Sequence, residues 1–262
     1  MSETQQRKAF ITGSSRGIGA ETALVFAEDG WDVALGATRE SSDLRKTLRK
    51  FDKMGMSPPV VLADITRPES RQRLTDSVLE WADGELSTLI LNAAGGMEAH
   101  KDASYGVLIN RDAQVALTQS FSPEMTPGGT IVFVTSHWAH WYDRGLIMPP
   151  FEMGGKTYDV VAGSKHAGEI ALRELIPDLT ERDQRLLVTV AGYVPDTLVG
   201  RLGKRGDADY VEQQAEIDNT PDMRTVAKTI LSMVNNSNLQ SGATEIIGAN
   251  EETFLRIAKD AQ

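Results

Sequence analysis

Short apolar runs alternate with amphipathic stretches along most of the chain, and the two periodicities divide it into strands and helices. Ala9-Phe10-Ile11, Asp32 to Leu35, Pro59 to Ala63, Thr88 to Leu91, Thr130 to Val134, Leu186 to Val190 and about Thr244 to Ile247 are short and nearly continuously apolar. Such runs suit strands buried on both faces. Helical spacing appears over residues 20–29, with Ala20, Ala23, Leu24, Phe26 and Ala27 on the inner side. It returns over Ser41 to Met54, Pro68 to Trp81, Leu108 to Phe121 and a stretch that ends near Leu175. From His137 to about Thr157 neither period holds, and the segment reads as irregular. Strands and helices in this alternation predict an α/β fold with a parallel sheet covered on both faces. The 262 residues suffice for one core, so a single domain over residues 1–262 is expected, without internal repeats.

Ligands of such sheets collect beyond the carboxyl ends of the strands. There the chain places Asn92, Ser136, Gly192 and the turn Thr12-Gly13-Ser14-Ser15-Arg16-Gly17-Ile18-Gly19, between Ile11 and the first helix. Glycine permits positive φ and close approach of backbone amides, and the helix N-terminus behind it offers free N–H groups to a pyrophosphate. The spacing is GxxxGxG rather than GxGxxG, and a plain connector can also be glycine-rich, so the turn alone leaves both readings open.

Charge and composition narrow the classes. A net charge of -10 and a pI near 5.0 speak against nucleic-acid and anionic-membrane partners, which need clustered Lys and Arg. With no cysteine and 4 histidines, neither a disulfide framework nor a metal site is expected. Met1 to Lys8 is polar and no apolar run approaches a membrane span, so a cytoplasmic protein without transmembrane helix or signal peptide is expected.

Thr12 to Gly19 as TGSSRGIG, Asn92-Ala93-Ala94-Gly95, and Ser164-Lys165 after Ser136 together resemble the short-chain dehydrogenase/reductase family, over roughly residues 8–248. The resemblance implies a single Rossmann-type doubly wound parallel sheet with helices on both faces, a bound NAD(H) or NADP(H), a small-molecule substrate, and a homodimer or homotetramer. It implies that Gly13, Ser15, Arg16, Gly17, Ile18 and Gly19 line the pyrophosphate and adenosine. Asp64 with Ile65 would face the adenine, and Asn92, Ala93, Ala94 and Gly95 would support the ribose. Asp64 could instead cap the helix that follows it, and Asn92 could be a turn residue.

The end of the second strand bears on the form of the cofactor. A ribose 2′-hydroxyl is held by a carboxylate there, whereas a 2′-phosphate needs cationic or neutral donors. Leu35-Gly36-Ala37-Thr38-Arg39 carries no acid before Glu40, and Arg16, Thr38 and Arg39 can bracket a phosphate. The expected cofactor is NADP(H), unless Arg39 is only a solvated surface charge.

The resemblance further implies an Asn, Ser, Tyr, Lys group. Asn110 lies 26 residues before Ser136, which closes its strand and would hydrogen-bond the substrate carbonyl. Lys165 would bind the nicotinamide ribose and lower the pKa of a nearby acid. Four residues before Lys165 the family tyrosine is replaced by Val161, which can neither give nor take a proton. Tyr158 stands one helical turn, about 5 Å, from that position if the helix already runs there. It is a candidate relocated acid, or else an amphipathic cap on the pocket wall. His137, His140 and Tyr193 are further candidates, and a phenol or quinone-like substrate could supply the proton itself.

Between Ser136 and Lys165 lies an aromatic insertion, residues 137–157, with His137, Trp138, His140, Trp141, Tyr142, Met148, Pro149, Pro150, Phe151 and Met153. It suggests a wall or lid for a bulky apolar or aromatic substrate, His137, Trp138 and Tyr193 among the contacts, or else a loop folded on its own small core. The resemblance implies that Thr197 contacts the nicotinamide amide, although the family's Pro before Gly192 is lacking, and residues 198–217, with Gly200, Gly203 and Gly206, read as a substrate flap or a plain surface loop. These features predict an atypical NADP(H)-dependent carbonyl reductase. The alternatives are a dinucleotide-binding sensor or scaffold without turnover, and a dehydratase or epimerase on the same scaffold.

Overall fold

The computed structural model describes residues 7–102, 104–144, 152–153, 156–197, 200–201 and 220–252. Seven strands, β1 (Lys8–Ile11), β2 (Asp32–Ala37), β3 (Val60–Leu62), β4 (Leu86–Leu91), β5 (Thr130–Ser136), β8 (Arg185–Ala191) and β9 (Thr244–Ile247), form one sheet in the order β3-β2-β1-β4-β5-β8-β9. Every neighbouring pair is parallel. Two further strands, β6 (Glu152–Met153) and β7 (Lys156–Thr157), make a small antiparallel pair of their own. The order reverses between β1 and β4, and that switch point opens a crevice at the carboxyl ends.

Alternation along the strands builds two cores. Val132 and Val134 face one side with Ile11, Leu35 and Leu187, beneath helices α1 (Gly17–Glu28), α2 (Ser42–Lys53) and α9 (Met223–Asn235). Ile131 and Phe133 face the other, with Phe10 and Leu89, beneath α3 (Pro68–Ala82), α5 (Ala113–Phe121), α7 (Asp159–Arg173) and α8 (Ile176–Glu181). Period two in the strands thus serves two helical layers at once. Local chemistry sets the helix ends. Ser41 Oγ accepts from Leu44 N at 3.1 Å to cap α2, Asp222 Oδ1 accepts from Thr225 N at 2.6 Å to cap α9, and Pro68 opens α3. Asp83, in the left-handed region at φ 51°, stops α3.

The α/β architecture expected from the sequence is the one observed, with differences of detail. The helix expected from Leu108 starts earlier, as α4 (Tyr105–Val107), and passes through a π-helical segment (Leu108–Asp112) into α5. The stretch read as irregular contains α6 (His137–His140), a 3-10 turn (Tyr142–Arg144) and the β6–β7 pair. Helix α9 went unread, although Val226, Ala227, Ile230, Met233 and Val234 carry its spacing. Met148, Pro149, Pro150, Phe151 and most of the 198–217 segment, including Gly203 and Gly206, lie outside the described residues. Among the described residues no helix is long and apolar enough to cross a membrane.

Candidate active site

A cleft of about 630 Å³ opens at the switch point and reaches from the end of β2 across β1 and β4 to β5 and β8. Its floor on the β1 side is main chain. Gly13 and Gly17 sit at φ 65° and 63°, where side-chain-bearing residues are strained. Thr12 Oγ donates to Ile90 O at 3.1 Å and accepts from the amides of Asn92 and Ala93, at 2.9 and 3.1 Å, locking the turn to the end of β4. Asn92 Nδ2 donates to the carbonyls of Thr12 and Gly13 at 3.1 and 3.2 Å, and Thr47 Oγ donates to Ser15 O at 2.9 Å.

A dinucleotide fits this arrangement. No side chain caps α1 and its first turn carries no acid, so its N-terminal amides face the cleft without a side-chain acceptor of their own. A Cβ on Gly17 would meet nothing, so the approach to the turn is open. Ser15, Arg16, Ile18, Thr38, Arg39, Asp64, Ile65, Ala93 and Ala94 all line the cleft, with Thr38 and Arg39 exposed.

Gly19 and Gly95 do not line the cleft as expected. A Cβ on Gly19 would lie 2.4 Å from Asn92 Nδ2, so this glycine lets Asn92 pack behind the turn. Gly95 N donates to Asn110 Oδ1 at 3.2 Å. Asp64 does not cap α3, whose N-cap position is held by Arg67 without a side-chain capping bond; Asp64 accepts from Thr66 N at 3.0 Å.

The opposite wall is made of side chains. Ser136 ends β5, and its Oγ lies 3.4 Å from Tyr158 Oη, a long contact in which either oxygen can donate. Tyr158 occupies the N-cap position of α7, where its carbonyl accepts from the amides of Val161 and Ala162. Its ring meets Trp138 edge-on at 5.5 Å, within a third cluster that includes Met97, Trp141, Val161, Ala162 and Tyr193. Burial pushes the Tyr158 pKa up against the opposing pull of its bond to Ser136, so the phenol keeps its proton near neutrality. One turn beyond Val161, Lys165 donates from Nζ to Val134 O at 3.1 Å, and burial lowers its pKa to about 8. Ser136, Trp138, Tyr158, Lys165, Tyr193 and Thr197 line the cleft together.

Several expected site residues sit off the cleft or have their polar groups engaged elsewhere. Asn110 is buried and does not line the cleft. Its carboxamide donates to Gly95 O and Ser164 Oγ, both at 2.8 Å, and ties the β4 loop to α7. His137 is fully buried and lies off the cleft, with Nδ1 3.3 Å from Ala191 O, and burial lowers its pKa to about 3. A histidine neutral down to that pH is no proton donor near neutrality. His140 turns away to Glu169, 2.9 Å distant. Tyr193 reaches the cleft, but its hydroxyl donates to Gly200 O at 2.8 Å, and the Thr197 hydroxyl likewise donates to Val194 O at 2.8 Å.

The sequence reading also missed cleft residues: Asp43, which pairs with Arg16 at 3.2 Å, and Glu98, His100, Lys101 and Tyr105. The Tyr105 pKa is raised to about 12 by burial and by Glu98 and Asp64. Its spacing of four from Ile109, another lining residue, was the available signal. Among the described residues no group of three or more His, Asp or Glu could hold a metal.

A sequence model of the short chain dehydrogenase family matches residues 7–146, and the chain belongs to that family. An oxidoreductase of Mycobacterium tuberculosis (strain CDC 1551 / Oshkosh) is 30% identical over 155 residues, 56% of this chain and 58% of the relative. That alignment thus spans little more than half of the relative's length. A short chain dehydrogenase of Burkholderia cenocepacia J2315, solved in complex with NADP, superimposes with a TM-score of 0.75 at 22% identity, covering 94% of this chain and 99% of the other. A promiscuous reductase that catalyses keto-reduction at C1 during lugdunomycin biosynthesis gives 0.76 at 20% identity, covering 97% and 100%. At these identities the structures share the fold.

Proposed function

We propose that the chain is an NADP(H)-dependent oxidoreductase that reduces the carbonyl of a bulky apolar or aromatic substrate, with Tyr158 as the proton donor in place of the residue at Val161. The observation that carries this reading is the contact of Tyr158 Oη with Ser136 Oγ, 3.4 Å, on the wall of the cleft that also holds Lys165. Bound NADPH would supply the hydride. Ser15, Arg16, Ile18, Thr38 and Arg39 would hold its phosphates and adenosine ribose, Asp64 and Ile65 its adenine, and Lys165 its second ribose. Ser136 donates to the substrate oxygen and Tyr158 delivers the proton to it. A phenol kept protonated by burial is in the form an acid needs. Trp138 and Tyr193 give the wall its aromatic character. The NADP in the Burkholderia structure and the keto-reduction ascribed to the lugdunomycin reductase support the cofactor and the reaction class.

The test is NADPH consumption with a panel of aromatic and aliphatic ketones, for the wild type and Tyr158→Phe. Turnover on aromatic ketones that is lost in the variant, with NADPH affinity retained, is the expected result. Tight NADPH binding without turnover on any ketone would leave a dinucleotide-binding protein instead.

A further inference from the structure

We propose that Asp43 sets how strongly the cleft prefers the 2′-phosphorylated dinucleotide, by competing with the phosphate for Arg16. The inference rests on the cofactor reading above. Arg16 holds the N-cap position of α1, and its half-exposed guanidinium donates through Nη1 to Asp43 Oδ2 at 3.2 Å. Asp43 stands in the first turn of α2, with Lys46 Nζ 3.8 Å from its other oxygen. Thr38, Arg39, Ser41 and Asp43 line the cleft along the stretch that joins β2 to α2. Two arginines expected to clasp a 2′-phosphate therefore share their end of the cleft with a carboxylate that already engages one of them.

A phosphate dianion entering there meets the negative charge of Asp43 and must draw Arg16 away from it. The unphosphorylated ribose faces neither cost. The opposite role, in which Asp43 orients Arg16 for the phosphate, would need a rigid contact. The observed pair is a single hydrogen bond between exposed side chains rather than a two-pronged fork, and such pairs hold orientation weakly. Nor is Asp43 required as a cap, because Ser41 caps α2.

Titrations of NADPH and of NADH, followed by quenching of intrinsic tryptophan fluorescence, test this with the wild type, Asp43→Asn and Asp43→Glu. Asp43→Asn should tighten NADPH binding about three- to tenfold at low salt, and the gain should shrink as salt screens the charge. NADH affinity should stay within about twofold, since it lacks the 2′-phosphate that would compete with Asp43 for Arg16. Asp43→Glu should behave as the wild type. Unchanged or weaker NADPH binding in Asp43→Asn, or an equal gain for NADH, would overturn the inference while leaving NADP(H) as cofactor. A wild type that binds NADH as tightly as NADPH would overturn the cofactor reading, and this inference with it.

Discussion

On its β1–β4 side the cleft is walled by main chain, with two glycines at positive φ and a threonine hydroxyl pinning one strand end to the next. On its β5–α7 side it is walled by side chains, Ser136, Tyr158, Lys165, Trp138 and Tyr193, of which Trp138, Tyr158 and Tyr193 pack in one cluster. A backbone cradle tolerates changes among its neighbours but no Cβ at Gly13 or Gly19, where it would stand 2.8 Å from Ala93 Cα or 2.4 Å from Asn92 Nδ2. A side-chain wall can carry its acid on a different turn of a helix, provided that the packing around it moves too. On the reading proposed above, the first half is fixed by its geometry, and the second is where the acid has changed position.

The largest expected effect tests the variable half. Tyr158→Phe should lower kcat about 10²- to 10⁴-fold, with the NADPH dissociation constant unchanged. Retained turnover would place the acid elsewhere and remove the relocated group from the contrast.

Gly13→Ala strikes the rigid half. The new Cβ would stand 2.8 Å from Ala93 Cα at a φ of 65°. A cost of about 1–3 kcal/mol in denaturant unfolding is expected, together with weaker dinucleotide binding. Affinity equal to the wild type would show that the main chain is not the binding surface.

Val161→Tyr asks whether the family position still works. Val161 is buried, and its Cγ2 lies 3.1 Å from where a Cβ on Gly96 would be. The larger ring should overpack the site by about 1–3 kcal/mol, and it should not rescue Tyr158→Phe. Rescue would mean that the wall around Val161 remained suited to a tyrosine.

A further test concerns pH. His137 titrates near 3 in the fold against 6.5 when exposed, so the unfolded chain takes up its proton first. Its contribution to stability is intact above 6.5 and is lost as pH falls from 6.5 toward 3. Acid unfolding curves should become shallower over that window in His137→Gln, and an unchanged slope would show that His137 is not the titrating group.

The strands and the glycine turn were legible because each depends on local spacing, whereas Ser136 and Lys165 came from the family resemblance. Tyr158 became a candidate because helical periodicity brings positions 158, 161, 162 and 165 to one face. The burial of His137 was not legible, because it depends on Ala191 at the end of β8, 54 residues along the chain. The Tyr193 bond to Gly200 escaped for a related reason, as nothing in a tyrosine's neighbours says which carbonyl its hydroxyl will find. At 4 residues α6 is too short to show a period, and its sequence looked like loop.

The π-helical segment Leu108–Asp112 acts as a phase shifter within one long helix. Widening the helix there accommodates an extra residue and turns everything before it by about 100° relative to everything after it. Tyr105 and Ile109 can thus present to the cleft while Leu117 and Phe121 keep their angle toward the sheet. Deleting one residue from this segment, so that the helix heals to ordinary α geometry, would swing Tyr105 around the barrel of the helix, away from its cleft.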